Sequence, residues 1–102
     1  MIVVLDTNVL VSALLRPFGP PARVLDLAGE VRLAYDDRLL AEYRQVLARP
    51  RFGLDVHDVT RLLDYLAAAG LPVAARPLKA SLPDPDDLPF LEVAVEAGAV
   101  LV

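Results

Sequence analysis

The sequence contains no cysteine and a single histidine among its 102 residues. Without cysteine the chain cannot form a disulfide framework, a zinc–thiolate site or a thiol nucleophile. We predict that His57 lies on the surface, in a loop or a first helical turn, so a serine-centred triad is not available. A glycine-rich phosphate-binding loop is missing as well. These absences exclude several common classes of hydrolase and nucleotide-binding protein.

Long apolar runs and excess positive charge are also absent. Apolar residues make up 56% of the chain, enough for a core, but no run approaches the roughly 20 residues of a membrane span. No basic segment typical of a signal peptide precedes the first predicted strand, so we expect a soluble cytoplasmic protein of one domain, residues 1–102. The net charge of −4 argues against simple coating of nucleic acid. It remains compatible with a nuclease whose acids hold metal ions.

Short apolar runs alternate with helical patterns along the chain. The predicted strands cover residues 2–5, 31–35, 71–75 and 99–102. The first predicted helix continues through Leu15, and a proline-rich break at residues 16–21 separates it from the second, at about residues 22–28. The third covers residues 38–48, the fourth follows a cap at Asp55 or Asp58 and reaches Ala69, and the fifth covers about residues 87–97. This alternation predicts an α/β fold with a central parallel sheet flanked by helices. Pro72 makes the third strand an edge candidate, and the fold looks truncated after the fourth strand.

The first strand leads into the first candidate site residue. Ile2 to Leu5 are apolar and largely β-branched, as in a buried parallel strand. The run ends at Asp6, and Thr7 or Asn8 is predicted to cap the following helix. Asp6 therefore lies at the carboxyl end of a central strand, where α/β proteins bind ligands. Its carboxylate either caps the helix backbone or binds a cation, and both interpretations stay open.

The helix predicted for residues 38–48 carries a second acid, Glu42. This residue lies on the flank of an apolar stripe, and Arg38 and Arg49 share the same polar border. One interpretation is an ordinary surface pair between Glu42 and Arg38. The other is a carboxylate that faces a cleft at the rim of the core, with both arginines placed to contact phosphates. If Glu42 is not a ligand, Asp36 or Asp37 is the alternative.

The helix predicted for residues 87–97 supplies a third acid. We expect Asp86 to cap this helix, because Pro89 then falls in the first turn, where no backbone N–H is needed. Asp84 and Asp86 are then structural. Asp87 has no capping role and is predicted to point with the buried face, so that it needs a partner.

The same helix has a predicted buried face and a predicted exposed face. Leu91, Ala94 and Val95 are expected on the buried face. Glu92 and Glu96 are expected to point away from it.

Three acids therefore meet at one edge of the predicted sheet. Asp6 follows the first strand, Glu42 lies in the helix after the second strand, and Asp87 opens the last helix. Oxygen ligands without histidine or cysteine select hard cations such as Mg²⁺ or Mn²⁺. Such clusters promote phosphodiester hydrolysis by activating water and stabilising the leaving oxygen.

Three segments of the chain resemble PIN-domain ribonucleases. Residues 4–10, Val-Leu-Asp-Thr-Asn-Val-Leu, resemble the opening of that family. Residues 38–43, Arg-Leu-Leu-Ala-Glu-Tyr, resemble the helix that supplies its second acid, and residues 84–94, beginning Asp-Pro-Asp-Asp, resemble the segment with the third. The likeness is greatest to the VapC-like branch of toxins in toxin–antitoxin pairs.

The resemblance implies a three-layer PIN-like fold and a metal-dependent endoribonuclease that cleaves single-stranded RNA. Asp6, Glu42 and Asp87 would be the catalytic residues and the ligands of Mg²⁺ or Mn²⁺, and Thr7 and Asn8 would orient water or a ligand. The expected partners are RNA, a cognate antitoxin and a second copy in a homodimer. Family members continue past the fourth strand, which agrees with the expected truncation. The alternative is a non-catalytic PIN-like module that binds antitoxin or RNA.

Overall fold

A computed structural model describes residues 1–16 and 31–102 of the chain. The strands are β1 (Ile2–Val4), β2 (Arg32–Tyr35), β3 (Leu71–Pro72) and β4 (Val100–Leu101). The helices are α1 (Thr7–Leu15), α2 (Asp37–Leu47), α3 (Val56–Ala69) and α4 (Leu88–Ala97), with 3₁₀ turns at Pro50–Phe52 and Pro85–Asp87. The proline-rich break, apart from Arg16, and the helix predicted for residues 22–28 lie outside the described residues.

The four described strands form one sheet in the order β3-β2-β1-β4, and every neighbouring pair is parallel. Val3 of β1 lies opposite Leu33 of β2 and Val100 of β4, so the first strand is central, as predicted. The predicted α/β architecture is thereby confirmed. β3 is an edge strand, but it ends at Pro72 rather than at residue 75. The ladder closes with one last hydrogen bond, from the N–H of Val73 to the carbonyl of Tyr35 at 2.9 Å.

Helix caps position the ends of the helices at the carboxyl edge of the sheet. Asp6 caps α1 by accepting a hydrogen bond from the N–H of Asn8, so the prediction that Thr7 or Asn8 is the cap is wrong. The reason is that α1 begins one residue earlier than a Thr7 cap allows. Asp36 caps α2 by accepting a hydrogen bond from the N–H of Leu39 at 3.1 Å.

The start of α4 differs from the prediction because an extra 3₁₀ turn precedes it. Asp84 caps this turn by accepting the N–H of Asp86 at 2.9 Å, so Asp86 is not the cap. Asp87 occupies the N-cap position of α4 without a side-chain capping bond. Its side chain is exposed rather than directed with the buried face.

The buried face of α4 is also rotated from the predicted one. Phe90, Val93 and Ala94 are buried, whereas Val95 is 58% exposed. Phe90 anchors the helix against Tyr43 of α2, with ring centroids 6.1 Å apart. The same rotation turns Glu92 into the interior, where it is only 5% exposed, so the prediction that Glu92 points outward is wrong.

Candidate active site

A cleft of about 190 Å³ opens beyond the carboxyl end of β1. Its lining comes from the β1–α1 junction, α2, the Arg49–Phe52 turn and the Asp84–Asp87 turn. The lining residues are Asp6, Thr7, Asn8, Glu42, Val46, Arg49, Arg51, Phe52, Asp84, Asp86 and Asp87. The three predicted acids thus line the same cleft.

Asp6 takes the capping role, one of the two that the sequence left open, and also lines the cleft. Its Oδ2 accepts the N–H of Asn8 at 3.0 Å, which satisfies a free donor at the start of α1. The carboxylate is only half-buried and lines the cleft. A helix N-terminus also favours negative charge. Capping therefore fixes the carboxylate at the edge of the cleft.

Glu42 is held by Thr7 rather than by an arginine. Thr7 is 7% exposed, and its hydroxyl donates to Oε2 of Glu42 at 2.5 Å. The surface pair between Glu42 and Arg38 does not form. This bond joins α1 to α2 across the floor of the cleft, so Thr7 orients a carboxylate that would otherwise be free to rotate.

Tyr43, next to Glu42, fixes α2 against the end of β1. Its hydroxyl is buried and donates to the carbonyl of Leu5 at 2.6 Å. Burial, together with the nearby charges of Asp6 and Glu42, raises the pKa of Tyr43, so the phenol stays protonated and remains a donor. The sequence indicated only a core role for Tyr43. An apolar stripe on a helix does not show which distant backbone carbonyl a tyrosine hydroxyl will reach, here that of Leu5, the residue before Asp6.

The Asp84–Asp87 turn adds negative charge to the opposite side of the cleft. Partial desolvation raises the pKa of Asp87, and the charges of Asp84, Asp6 and Asp86 raise it further. These carboxylates therefore repel one another across the cleft. The sequence treated Asp84 and Asp86 as structural, whereas both also line the cleft.

The donor set of this cleft suits a hard divalent cation in type and in charge. Every candidate ligand is a carboxylate, hydroxyl or amide oxygen, as Mg²⁺ and Mn²⁺ prefer. Within residues 1–16 and 31–102, however, no three acidic side chains lie close enough together to hold one metal ion.

Basic and aromatic side chains occupy the remaining wall. Arg49 and Arg51 line the cleft, and the guanidinium carbon of Arg51 lies 4.8 Å from the ring centroid of Phe52. Arg49 thus lies where the sequence predicts it. Arg51 and Phe52 were not predicted, because they lie beyond the end of α2 and its polar border.

Arg38 does not line this cleft with Arg49. Its Nη1 lies 2.7 Å from Oε1 of Glu92, and its Nη2 lies 2.8 Å from Asp36. Arg38 therefore pairs with acids other than Glu42, and the prediction that it contacts phosphates beside Glu42 is not supported by its position. Asp36 and Asp37 line a separate cleft beside β3, so neither replaces Glu42 next to Asp6.

Glu92 is a buried carboxylate, and each of its two oxygens accepts a hydrogen bond. It accepts hydrogen bonds from Arg38 and from the N–H of Leu78, each at 2.7 Å. The bond to Arg38, and then that to Leu78, lower the pKa of Glu92. Glu92 joins α2, α4 and the segment that follows β3.

Comparison with known proteins decides the family. A family model of the PIN domain matches residues 2–102. The chain belongs to the PIN domain family. This PIN domain is 31% identical over 105 residues to an uncharacterized protein of Methanocaldococcus jannaschii. The alignment covers 98% of this chain and 68% of that protein. The predicted family is thereby confirmed, and PIN domains are generally nucleases.

A solved structure shares the fold. A chain in the crystal structure of VapBC2 from Rickettsia felis bound to a DNA fragment from their promoter matches with a TM-score of 0.64 and 20% identity. The match covers 99% of this PIN domain and 86% of that chain. The predicted PIN-like architecture is confirmed by this likeness. In the part of the PIN domain that the structure describes, no helix is long and apolar enough to cross a membrane.

Proposed function

We propose that this PIN domain is an endoribonuclease that depends on a divalent metal ion and cleaves single-stranded RNA. Asp6, Glu42 and Asp87 are its catalytic residues and would hold Mg²⁺ or Mn²⁺. One observation carries the proposal: acids from three separate segments line a single cleft at the carboxyl edge of the sheet. A catalytic site assembled from strand ends and neighbouring loops is the usual arrangement in open α/β folds.

The chain's own residues prepare this site in three ways. Thr7 fixes the orientation of Glu42, the start of α1 holds Asp6, and Tyr43 keeps α2 against the end of β1. A divalent ion, when bound, lowers the pKa of a water ligand and neutralises charge on the phosphate and the leaving oxygen. Asn8 and Arg49, at the exposed rim, are placed to contact the RNA backbone. Arg38 is engaged by Glu92 and is left out of this set.

We further propose that the protein acts as the toxin of a toxin–antitoxin pair, is blocked by a cognate antitoxin, and works as a cytoplasmic homodimer. The toxin role is supported by the three VapC-like segments and by the fold shared with the VapBC2 structure. Residues 1–102 would form its single PIN domain. Growth arrest on expression, relieved by coexpression of the adjacent gene product, tests the pairing. Light scattering after size-exclusion chromatography measures the oligomeric state.

Cleavage of an end-labelled single-stranded RNA tests the enzymatic proposal. We expect cleavage with Mn²⁺ or Mg²⁺ and none with EDTA. Asp6→Asn, Glu42→Gln and Asp87→Asn should each lower the rate by at least about 100-fold, since each removes a charged metal ligand. Asp64→Asn, on the exposed surface of α3 away from the cleft, is the matched control and should cleave like the parent.

Two outcomes would overturn the proposal. Cleavage that is unchanged in EDTA would exclude the metal mechanism. Specific RNA or antitoxin binding without any cleavage would instead support the alternative, a non-catalytic PIN-like binding module.

A further inference from the structure

The Arg49–Phe52 turn presents its side chains to the cleft from a restrained backbone. Arg49 is the N-cap of the 3₁₀ turn, Pro50 begins it, and Gly53 ends it with φ of 62°. Proline fixes its own φ, and glycine supplies the left-handed conformation at little cost. The turn is therefore pre-organised, which reduces the entropy lost when it binds a ligand.

The guanidinium groups of this turn are available to a ligand. In the described part of the chain, Arg38, Arg61 and Arg76 each form an ion pair with a carboxylate. Within the same residues Arg49 and Arg51 form none, although they share a cleft with acids. A nucleic acid entering a cleft of carboxylates is repelled unless cations receive its phosphates. The two arginines supply such cations on one wall.

Arg51 lies over the ring of Phe52, and we call this pair the platform. The guanidinium carbon of Arg51 lies 4.8 Å from the centre of the Phe52 ring, within the range of a cation–π contact. Phe52 is half-buried against the core and also lines the cleft, so its ring is held in place beside the acids. Nucleic-acid bases stack on aromatic rings and on guanidinium planes, and only unpaired, unstacked bases can do so.

We infer that Arg51 and Phe52 form a subsite that receives an unpaired base of single-stranded nucleic acid beside the acidic centre, while Arg49 contacts an adjacent phosphate. This inference rests on the proposed function and adds to it the reason for single-strand selection. A base held in a duplex cannot reach the platform, so a duplex gains only the phosphate contacts. Stacking accepts any base, so the subsite selects strandedness more than sequence.

Binding of fluorescent oligonucleotides measures the subsite directly. Fluorescence anisotropy is recorded in the Asp87→Asn background with Mg²⁺, so that the bound strand is not cut, using a single-stranded RNA and the matched duplex across a salt series. Arg51→Ala should weaken single-strand binding about tenfold and reduce the salt slope by about one ion. Phe52→Leu should weaken single-strand binding roughly five- to tenfold, with the salt slope and duplex affinity unchanged.

Two further variants separate stacking from charge and from general surface effects. Arg51→Lys keeps the charge without the planar group, so it should lose single-strand affinity and retain the salt slope. It also replaces Phe52→Leu as the decisive variant if that protein fails to fold. Arg61→Ala removes an exposed arginine that pairs with Asp58 on α3 outside the cleft, and it should bind like the parent.

The results distinguish the subsite from the proposed function. Full single-strand affinity in Arg51→Lys and Phe52→Leu, or equal losses for single strand and duplex, would overturn the stacking subsite even if the parent cleaves RNA. If the variants lose single-strand affinity as expected but the parent never cleaves RNA, the subsite is supported and the nuclease proposal is overturned. A protein that binds no oligonucleotide would overturn both.

Discussion

Two acidic regions contact α2, one through Glu42 and the other through Arg38, and they handle their charge in opposite ways. In the cleft, Asp6, Glu42 and Asp87 line one surface; Thr7 donates a hydrogen bond to Glu42, and the N–H of Asn8 donates one to Asp6. In the second region, Glu92 is buried and accepts hydrogen bonds from Arg38 and from the N–H of Leu78. The first region keeps repulsive charges together, whereas the second pairs its carboxylates with an arginine. Like charges held close together oppose folding, so such a cluster is typical of a functional site rather than of a structural one.

The largest expected difference is in catalysis, when the same change is made in both regions. Glu42→Gln should lower RNA cleavage by at least about 100-fold, because the neutral amide cannot serve as a charged metal ligand. Glu92→Gln should leave the rate per folded molecule close to that of the parent. Single-turnover cleavage below the melting temperature of both variants makes the measurement. Equal rate losses in both variants would erase the functional distinction between the regions.

Thermal stability should show the reverse order. Glu92→Gln weakens two hydrogen bonds to a side chain that is only 5% exposed, and it should lower Tm by about 5 °C, although Arg38 keeps its contact with Asp36. Glu96→Gln is the matched control on the same helix, because the partner of Glu96, Arg76, is 89% exposed. Its Tm should stay near that of the parent. Calorimetry checks both, and a Tm for Glu92→Gln equal to that of Glu96→Gln would contradict a structural role for the buried pair.

Metal ions should act on the first region alone. Saturating Mn²⁺ should raise the Tm of the parent by several degrees relative to EDTA, because the ion binds the folded state and cancels repulsion; ligand at 100 times its Kd contributes about 2.7 kcal/mol. In EDTA, Asp87→Asn should melt at or above the parent, and Mn²⁺ should raise its Tm less. Parent melts that coincide in the two buffers, together with a lower Tm for Asp87→Asn, would remove the metal site from this cleft.

The smallest expected effect is that, without metal, the contributions of Glu92 and Asp87 to folding stability change with pH in opposite directions. The pKa of Glu92 is lowered, so its contribution to folding is present above the ordinary pKa of 4.5 and is lost as pH falls through the lowered value. The pKa of Asp87 is raised, so its contribution is present below the ordinary pKa of 3.8 and is lost as pH rises through the raised value.

Urea denaturation at a series of acid pH values in EDTA measures these two contributions. The stability of the parent minus that of Glu92→Gln should rise with pH. The stability of the parent minus that of Asp87→Asn should fall with pH. Parallel curves would mean that the two carboxyl groups have similar surroundings.

The cleft could be predicted from the sequence because local rules place its acids. Asp6 follows a buried strand, and the carboxyl ends of parallel strands share one edge of the sheet. Glu42 borders an apolar stripe that is clear over the whole of α2, so the phase of that helix is unambiguous. Both features follow from the helical spacing of apolar residues and from the parallel direction of the strands, and the order of residues along the chain indicates both.

The second region could not be predicted, because it depends on contacts between distant residues. α4 is apolar around much of its circumference, so its residues allow more than one buried face. Phe90 against Tyr43 selects the actual face, and that choice carries Glu92 inward to meet Arg38, 54 residues away in the chain. The sequence therefore placed Glu92 on the surface and Arg38 at the RNA. Only the tertiary pair shows that each residue engages the other.

Pro72 closes one border of the sheet to further strands. The N–H of Val73 points toward β2, where it meets Tyr35, so the nitrogen of Pro72, one residue earlier, faces away from the sheet. This outward nitrogen carries no hydrogen and cannot donate to an incoming chain. A strand that approached β3 would find a gap in the row of donors, which discourages edge-to-edge polymerisation. A proline that shortens one strand thus also protects a small, acidic protein from self-templated aggregation along that border.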